Sequence, residues 1–163
     1  MKVTIFLGSD SDFEVIKEGL DLLKEFGVSF NLEVTSAHRS PERTVKLIKM
    51  AESEGTKVFI AVAGKAAHLP GVVAAHTVLP VIGVPVESQA LAGLDALLSI
   101  VQMPKGIPVA TVALGKTGGA NAALLAVAIL AVSDGDLRAR LEEYRQRMSE
   151  KVEESSRRLK EKL

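Results

Sequence analysis

Leu32-Glu33-Val34-Thr35-Ser36-Ala37-His38-Arg39-Ser40-Pro41 passes from a strand-like run, Leu32 to Thr35, to a proline suited to the first position of a helix. Proline is favoured there because its missing N–H would lack an intrahelical partner anyway, and Ser40 before it is expected to cap the helix through its hydroxyl. His38 and Arg39 then fall in a short strand-to-helix turn. In open parallel sheets, turns at the carboxyl ends of strands are where ligands bind. A titratable imidazole beside a permanent cation gives this turn a proton-transfer group and an anion-binding group.

Further apolar runs rich in β-branched residues lie at Val3 to Leu7, Val58 to Val62, Val81 to Val84 and Pro108 to Leu114, with helix-compatible segments between them. The alternation predicts an α/β fold: a five-stranded parallel sheet with helices on both faces. The first helix is expected to start near Asp12, to bury Phe13, Ile16, Leu20 and Leu23, and to close at Gly27 in a left-handed cap. The second should run from Pro41 to about Glu54 and stop at Gly55. Between Gly64 and Gly93 the chain is rich in Gly, Ala and Pro and poor in charge, which predicts backbone packed close to backbone or ligand. A short helix is expected there, at Gly71 to Thr77.

Asn121 to Val132 is apolar all round and reads as a helix buried on every side, which in so short a chain implies a subunit interface. From Asp134 onward a charged helix carries the apolar stripe Leu137, Leu141, Tyr144, Met148 and Val152, continuing to Leu159 and Leu163. That stripe is longer than one compact domain needs, so its far end is expected either to pack on a neighbouring subunit or to form a frayed, solvated tail. No repeat, linker or low-complexity segment divides residues 1–163, which read as one α/β domain.

Cysteine is absent from the 163 residues, which excludes thiol catalysis, Cys-ligated zinc and iron–sulfur clusters and fits a reducing compartment. Basic and acidic residues balance at 20 each, so no long-range field favours nucleic acid or an anionic membrane. The chain enters an apolar strand at once, and no apolar run is long and continuous enough to span a bilayer. A cytoplasmic protein is expected.

Gly8-Ser9-Asp10-Ser11-Asp12 follows the first strand and opens the first helix. Its hydroxyls and the free N–H groups of the helix start suit a phosphate. Two carboxylates beside a phosphate repel it, so at least one should face a sugar hydroxyl or the helix cap. Asp10-Ser11-Asp12 also echoes aspartyl phosphatases, but the Gly-Ser insertion before Asp10 is wrong for that geometry and no later acidic pair completes a metal site.

Ala110 to Thr117 fits a permissive phosphate-loop pattern, yet Thr111 to Leu114 read as strand interior, where the N–H groups would be paired in the sheet. Ala63-Gly64-Lys65-Ala66-Ala67-His68-Leu69-Pro70-Gly71 is a small-residue loop against which a flat substrate can lie. His38, His68 and His76 lack the spacing and carboxylates of a zinc site, and His76 reads as structural or exposed.

Six segments together, GSDSD (Gly8 to Asp12), SAHRSP (Ser36 to Pro41), AAHLPG (Ala66 to Gly71), PVIGVPV (Pro80 to Val86), GLDALLSIVQMPKGIPVAT (Gly93 to Thr111) and NAALLA (Asn121 to Ala126), resemble the bacterial-type 5-(carboxyamino)imidazole ribonucleotide mutase family of purine biosynthesis. The resemblance implies a three-layer flavodoxin-like α/β/α fold, a homo-octamer and a carboxylate shift that needs no cofactor. It makes His38 the general acid and base, and Ser9, Asp12 and Arg39 the phosphate and ribose contacts. Ser11 is then a neighbouring donor, Ser36 and Gly64 join the substrate-binding set, and Ala66, Ala67, His68 and Leu69 hold the base and the free carbon dioxide. Animal-type carboxylases of this fold lack the AAHLPG text, so His68-Leu69-Pro70 favours the mutase over a carboxylase using free carbon dioxide. A non-catalytic nucleotide-binding subunit and a phosphate-binding hydrolase are the readings from other classes.

The chain departs from the family pattern at Gly64-Lys65, where Gly-Gly is usual. Lys65 thus stands where positive φ or close backbone approach is expected, and as a loop residue it is expected to point outward. Gly115-Lys116-Thr117-Gly118-Gly119 replaces a usually alanine-rich segment.

Overall fold

Five strands, β1 (Val3–Leu7), β2 (Phe30–Val34), β3 (Val58–Gly64), β4 (Val81–Val86) and β5 (Ala110–Thr111), alternate with helices in the computed structural model, which describes residues 3–162. The helices are α1 (Phe13–Glu25), α2 (Pro41–Ser53), α3 (Leu69–Ala75), α4 (Leu94–Val101), α5 (Gly115–Ala131) and α6 (Gly135–Lys160). All strand pairs are parallel and the sheet order is β2-β1-β3-β4-β5.

β3 reads as an unbroken apolar run, and β1 departs from one only at the buried Thr4, because both faces of the sheet are covered. On one face Ile5, Leu7, Ile60 and Val62 pack with Ile16, Leu20 and Leu23 of α1 and Ala122, Ala126 and Val127 of α5. On the other, Phe6 and Phe59 stack at 5.7 Å over Ile48 of α2, Val73 of α3 and Ile100 of α4. The result is the three-layer flavodoxin-like arrangement expected from the sequence.

Local chemistry explains the boundaries. α1 ends in a Schellman motif: Val28 N–H donates to Leu23 O at 2.8 Å and Gly27 N–H to Lys24 O at 2.9 Å, with Gly27 at φ 64°. Ile16, Leu20 and Leu23 are buried as expected, but Phe13, at the first position of α1, is 38% exposed. α2 starts at Pro41 and is followed by Gly55 at φ 89°. α3 starts at Leu69, earlier than Gly71, because Pro70 is accommodated in its first turn. α4, which follows Gly93 at φ 85°, fills the helix-compatible interval expected between the fourth and fifth strands.

β5 is shorter than expected. Val112 N–H still donates to Gly83 O at 3.2 Å, but Ala113 and Leu114 have left the sheet and α5 begins at Gly115. The phosphate-loop pattern fails in its first half for the reason expected: Thr111 lies in β5 and Val112 N–H is paired with Gly83 O, so the segment offers no continuous run of free N–H groups.

α5 also begins well before Asn121, through a segment whose glycines read as helix breakers. Gly118 and Gly119 are buried, and a Cβ at Gly119 would overlap the Val15 carbonyl oxygen of α1. Reciprocally, a Cβ on Gly19 of α1 would lie 2.5 Å from Gly119 O. Close backbone approach between the two helices outweighs the poor propensity. Ala122, Ala123, Ala126, Val127 and Leu130 are buried within this one chain, while Leu124, Leu125, Ala128 and Ile129 are half-covered.

Asp134 caps α6 by accepting Leu137 N–H at 3.0 Å. Leu137 and Leu141 are buried, Tyr144 packs on Phe26 at 5.5 Å, and Arg140 donates to Phe26 O at 2.8 Å. Past this point the described residues leave the stripe largely uncovered: Met148, Val152 and Leu159 are 52%, 69% and 65% exposed. Leu163 lies outside the described residues. Among the described residues no helix is long and apolar enough to cross a membrane.

Gly119→Ala is expected to lower unfolding stability by about 2 kcal/mol, the magnitude of forced overpacking, measured as a urea midpoint shift. Gly135→Ala, where an added Cβ meets nothing within 4 Å, should leave stability unchanged or slightly raised.

Candidate active site

The connection from β1 goes to β2 on one side and then returns to β3 on the other, so a topological switch point lies beyond the carboxyl ends of β1 and β3. A cavity of about 1200 Å³ opens there, walled by the turns that follow β1, β2, β3 and β4.

The first turn is held by the backbone. Gly8 N–H donates to Val62 O at 2.9 Å, continuing the β1–β3 ladder past the strand end. Ser9 then caps a single 3-10 turn, Asp10–Asp12, in a reciprocal capping box: Asp12 Oδ2 accepts Ser9 N–H at 3.0 Å, and Ser9 Oγ accepts Ser11 N–H at 3.4 Å. Ser11 Oγ donates to Ser9 Oγ at 2.9 Å, and Ser9 Oγ to Asp10 Oδ1 at 3.1 Å. The two carboxylates are thereby separated in role, with Asp12 turned to the cap and buried while Asp10 stays exposed. Burial pushes the Asp12 carboxyl above its ordinary value, against the opposing pull of the Ser9 N–H and the Ser11 hydroxyl, and nearby Asp10 adds to the rise.

The second turn carries His38 and Arg39. Arg39 N–H donates to Ser36 Oγ at 3.2 Å, and its guanidinium Nη2 reaches Gly8 O at 3.4 Å, tying this turn to the first. Ser40 does not cap α2 through its hydroxyl. That hydroxyl instead accepts Ser36 N–H at 3.3 Å and donates to Ser36 O at 3.2 Å, closing the loop that presents His38. Thr35, which leaves the strand, pairs its buried hydroxyl with Thr44 of α2 at 2.8 Å.

The third turn brings a second imidazole to the first. His38 Nε2 and His68 Nδ1 are 2.6 Å apart, with ring centroids at 4.8 Å and planes at 77°. Such a contact holds one proton, one nitrogen donating and the other accepting. The loop before His68 is tight: Ala67 N–H donates to Lys65 O and His68 N–H to Ala66 O, each at 2.8 Å. Lys65 occupies the left-handed region at φ 55°. It is one of the residues lining the cavity, so its expected outward direction does not remove it from the site.

Of the residues singled out from sequence, Ser9, Ser11, Asp12, Ser36, His38, Arg39, Gly64, Ala66, His68 and Leu69 line this one cavity. Ala67 does not: it is 1% exposed and packs beneath the loop with the core cluster of Phe6 and Phe59. His76 is exposed at the end of α3, where its carbonyl accepts Lys49 Nζ at 2.7 Å. The wall formed by Glu87, Ser88, Gln89 and Ala90, with Asp95 behind Ser88 at 3.3 Å, was missed. Its signal was available: these residues follow the fourth strand at the same sheet end.

Fold and cleft together define a flavodoxin-like α/β protein with an arginine- and histidine-bearing crevice at its switch point. The chain belongs to the AIR carboxylase family, whose model matches residues 2–151. It is 56% identical over 152 residues to the N5-carboxyaminoimidazole ribonucleotide mutase of Brucella melitensis, an alignment covering 93% of this chain and 94% of that one. It is 55% identical over 159 residues to the enzyme of the same name from Pyrococcus horikoshii, covering 98% and 89%. A crystal structure of Treponema denticola PurE superposes with a TM-score of 0.88 at 31% identity, over 96% of this chain and 97% of that one.

Two outcomes follow from the site's backbone and its buried acid. Lys65→Gly should raise stability by about 0.5–1 kcal/mol, since the left-handed conformation is unfavourable for any residue with a Cβ, and thermal unfolding measures it. Because the native state raises the Asp12 pKa above 3.8, it holds a proton there that the unfolded chain releases, so this group's contribution falls as pH rises through that window. Asp12→Asn should accordingly flatten the loss of stability between pH 4 and neutral pH in parallel denaturant titrations.

Proposed function

We propose that this chain is an isomerase that converts 5-(carboxyamino)imidazole ribonucleotide to 5-amino-1-(5-phospho-D-ribosyl)imidazole-4-carboxylate in purine biosynthesis. The observation that carries the reading is the His38–His68 contact of 2.6 Å beside the Arg39 guanidinium, which reaches Gly8 O of the first turn. In this reading the ribonucleotide's phosphate and ribose lie against Ser9, Ser11, Asp12 and Arg39. Its base lies over the small-residue loop, with Ser36, Gly64, Ala66, His68 and Leu69 around it.

The reaction then balances within one molecule. The bond from the exocyclic nitrogen to the carboxyl carbon breaks, its electron pair stays on nitrogen, and His38 supplies the proton that nitrogen takes up. The ring carbon next to it attacks the released carbon dioxide, and His38 recovers the proton that this carbon loses. Imidazole suits both halves because its unperturbed pKa, roughly 6.5, lies close to neutral pH. His68 provides the partner nitrogen that fixes the His38 ring and shares its proton. No oxidation occurs, and nucleoside triphosphate is not needed because the carboxyl group is already attached to the substrate.

Homo-octameric assembly in the cytoplasm completes the proposal. The uncovered apolar side chains of α6, Met148 and Val152, and of α4, Leu94, Leu98 and Val101, supply surface for it. Light scattering should then give the mass of eight copies of the 17.3 kDa chain.

In an assay free of metal and ATP, the carboxyamino substrate should convert rapidly and independently of added bicarbonate. Conversion only from aminoimidazole ribonucleotide with abundant carbon dioxide would instead make the chain a carboxylase. His38→Asn should abolish conversion yet keep the fold and ribonucleotide binding, and retained turnover would sink the mechanism. Arg39→Ala should weaken ribonucleotide binding by roughly ten- to a hundredfold, the worth of one charge-assisted hydrogen bond, as read by calorimetry.

A further inference from the structure

We infer that Lys65 is a specificity-determining cation that pairs with the carboxylate of the bound ribonucleotide; the inference rests on the function proposed above. Lys65 is an exposed residue held at φ 55°, so it has the strain of a left-handed backbone without the burial that would offset it. Outliers of this kind persist where the surrounding structure uses them, and this one stands on the cavity wall. Among the described residues its ammonium has neither an ion pair nor a hydrogen bond.

Charge balance gives the ammonium its task. The cavity wall carries the acidic residues Asp12, Glu87 and Asp95 but only two permanent cations, Arg39 and Lys65. A ribonucleotide bearing both a phosphate and a carboxylate brings two anionic groups into that setting. Arg39 is committed to the first turn, where its guanidinium meets Gly8 O. It therefore belongs with the phosphate, at the ends of β1 and β2.

Lys65 enters from β3, on the opposite side of β1, three residues before the imidazole that touches His38. A ligand whose phosphate lies on the β1–β2 side and whose base covers the two histidines presents its carboxylate toward β3. The loop's γ-like bonds, Ala67 N–H to Lys65 O and His68 N–H to Ala66 O, fix the Lys65 backbone relative to His68. The ammonium and the imidazole are thus delivered to the same end of the base.

The test compares two ligands that differ only in the carboxylate: 5-aminoimidazole ribonucleotide and its 4-carboxylate. Calorimetric titration of the full chain should show Lys65→Gly weakening the carboxylate by roughly tenfold or more, with the aminoimidazole ribonucleotide unchanged within about twofold. Lys65→Arg should restore most of the preference, since it keeps the charge. Equal weakening of both ligands would assign Lys65 to the phosphate and overturn the inference, and so would no weakening of either. If the unsubstituted chain binds neither ribonucleotide, the function proposed above fails and the inference falls with it. Circular dichroism and thermal unfolding of Lys65→Gly separate any such loss from misfolding.

Discussion

The structure depends on β1 being paired in parallel on both edges at once. Leu7 faces Val34 in one ladder and Val62 in the other. The ladders run one step beyond the strands, through Thr35 N–H to Leu7 O and Gly8 N–H to Val62 O, each at 2.9 Å. These two bonds aim the turns after β1, β2 and β3 into one space. Because β1, buried on both faces, cannot slip by one residue without exchanging its two apolar sets, the position of the turns is fixed by the core. The crevice is thus a consequence of strand register before any polar side chain is considered.

Polar groups then make that space rigid. Ser36 and Ser40, Thr35 and Thr44, and the capping box of Ser9 and Asp12 spend their hydroxyls and carboxylates on backbone and on each other. Among the described residues no buried side-chain nitrogen or oxygen lacks a partner. An unpartnered buried polar atom is unfavourable by about 1–3 kcal/mol, so this closed network keeps the turns in one conformation. The two imidazoles, the Arg39 guanidinium and the Lys65 ammonium lie outside this closed network, on the wall of the same cavity.

The strand–helix alternation and the ligand-bearing turns were legible because they depend on local chemistry: β-branched runs, Pro41 at a helix start and Gly27 at a helix end. The misses have other causes. Gly118 and Gly119 oppose helix by propensity, and only the approach of α1 makes them favourable there. Ser40 had the right chemistry for a cap but a nearer partner in Ser36. Ala67 looked like its loop neighbours, yet the two successive tight turns at Lys65 and Ala66 send its methyl into the core. The 2.6 Å histidine contact joins residues 30 apart in sequence. The glycines and the histidine contact are set by tertiary geometry, which no window of sequence contains, whereas Ser40 and Ala67 depend on local loop geometry that residue type alone does not specify.

The openness of the cavity bears on the proposed chemistry. Free carbon dioxide must remain near the ring carbon, which requires exclusion of water and of escape routes. A cavity of about 1200 Å³ confines nothing so small by itself. The ribonucleotide must supply the missing wall, its phosphate anchored on one side and its base lying against the loop of Ala66 and His68. Confinement then follows from binding energy gathered at the phosphate, remote from the reacting atoms. On this view the small residues after β3 have a physical purpose: any larger side chain at Ala66 would lift the base from the loop and open the gap through which carbon dioxide escapes.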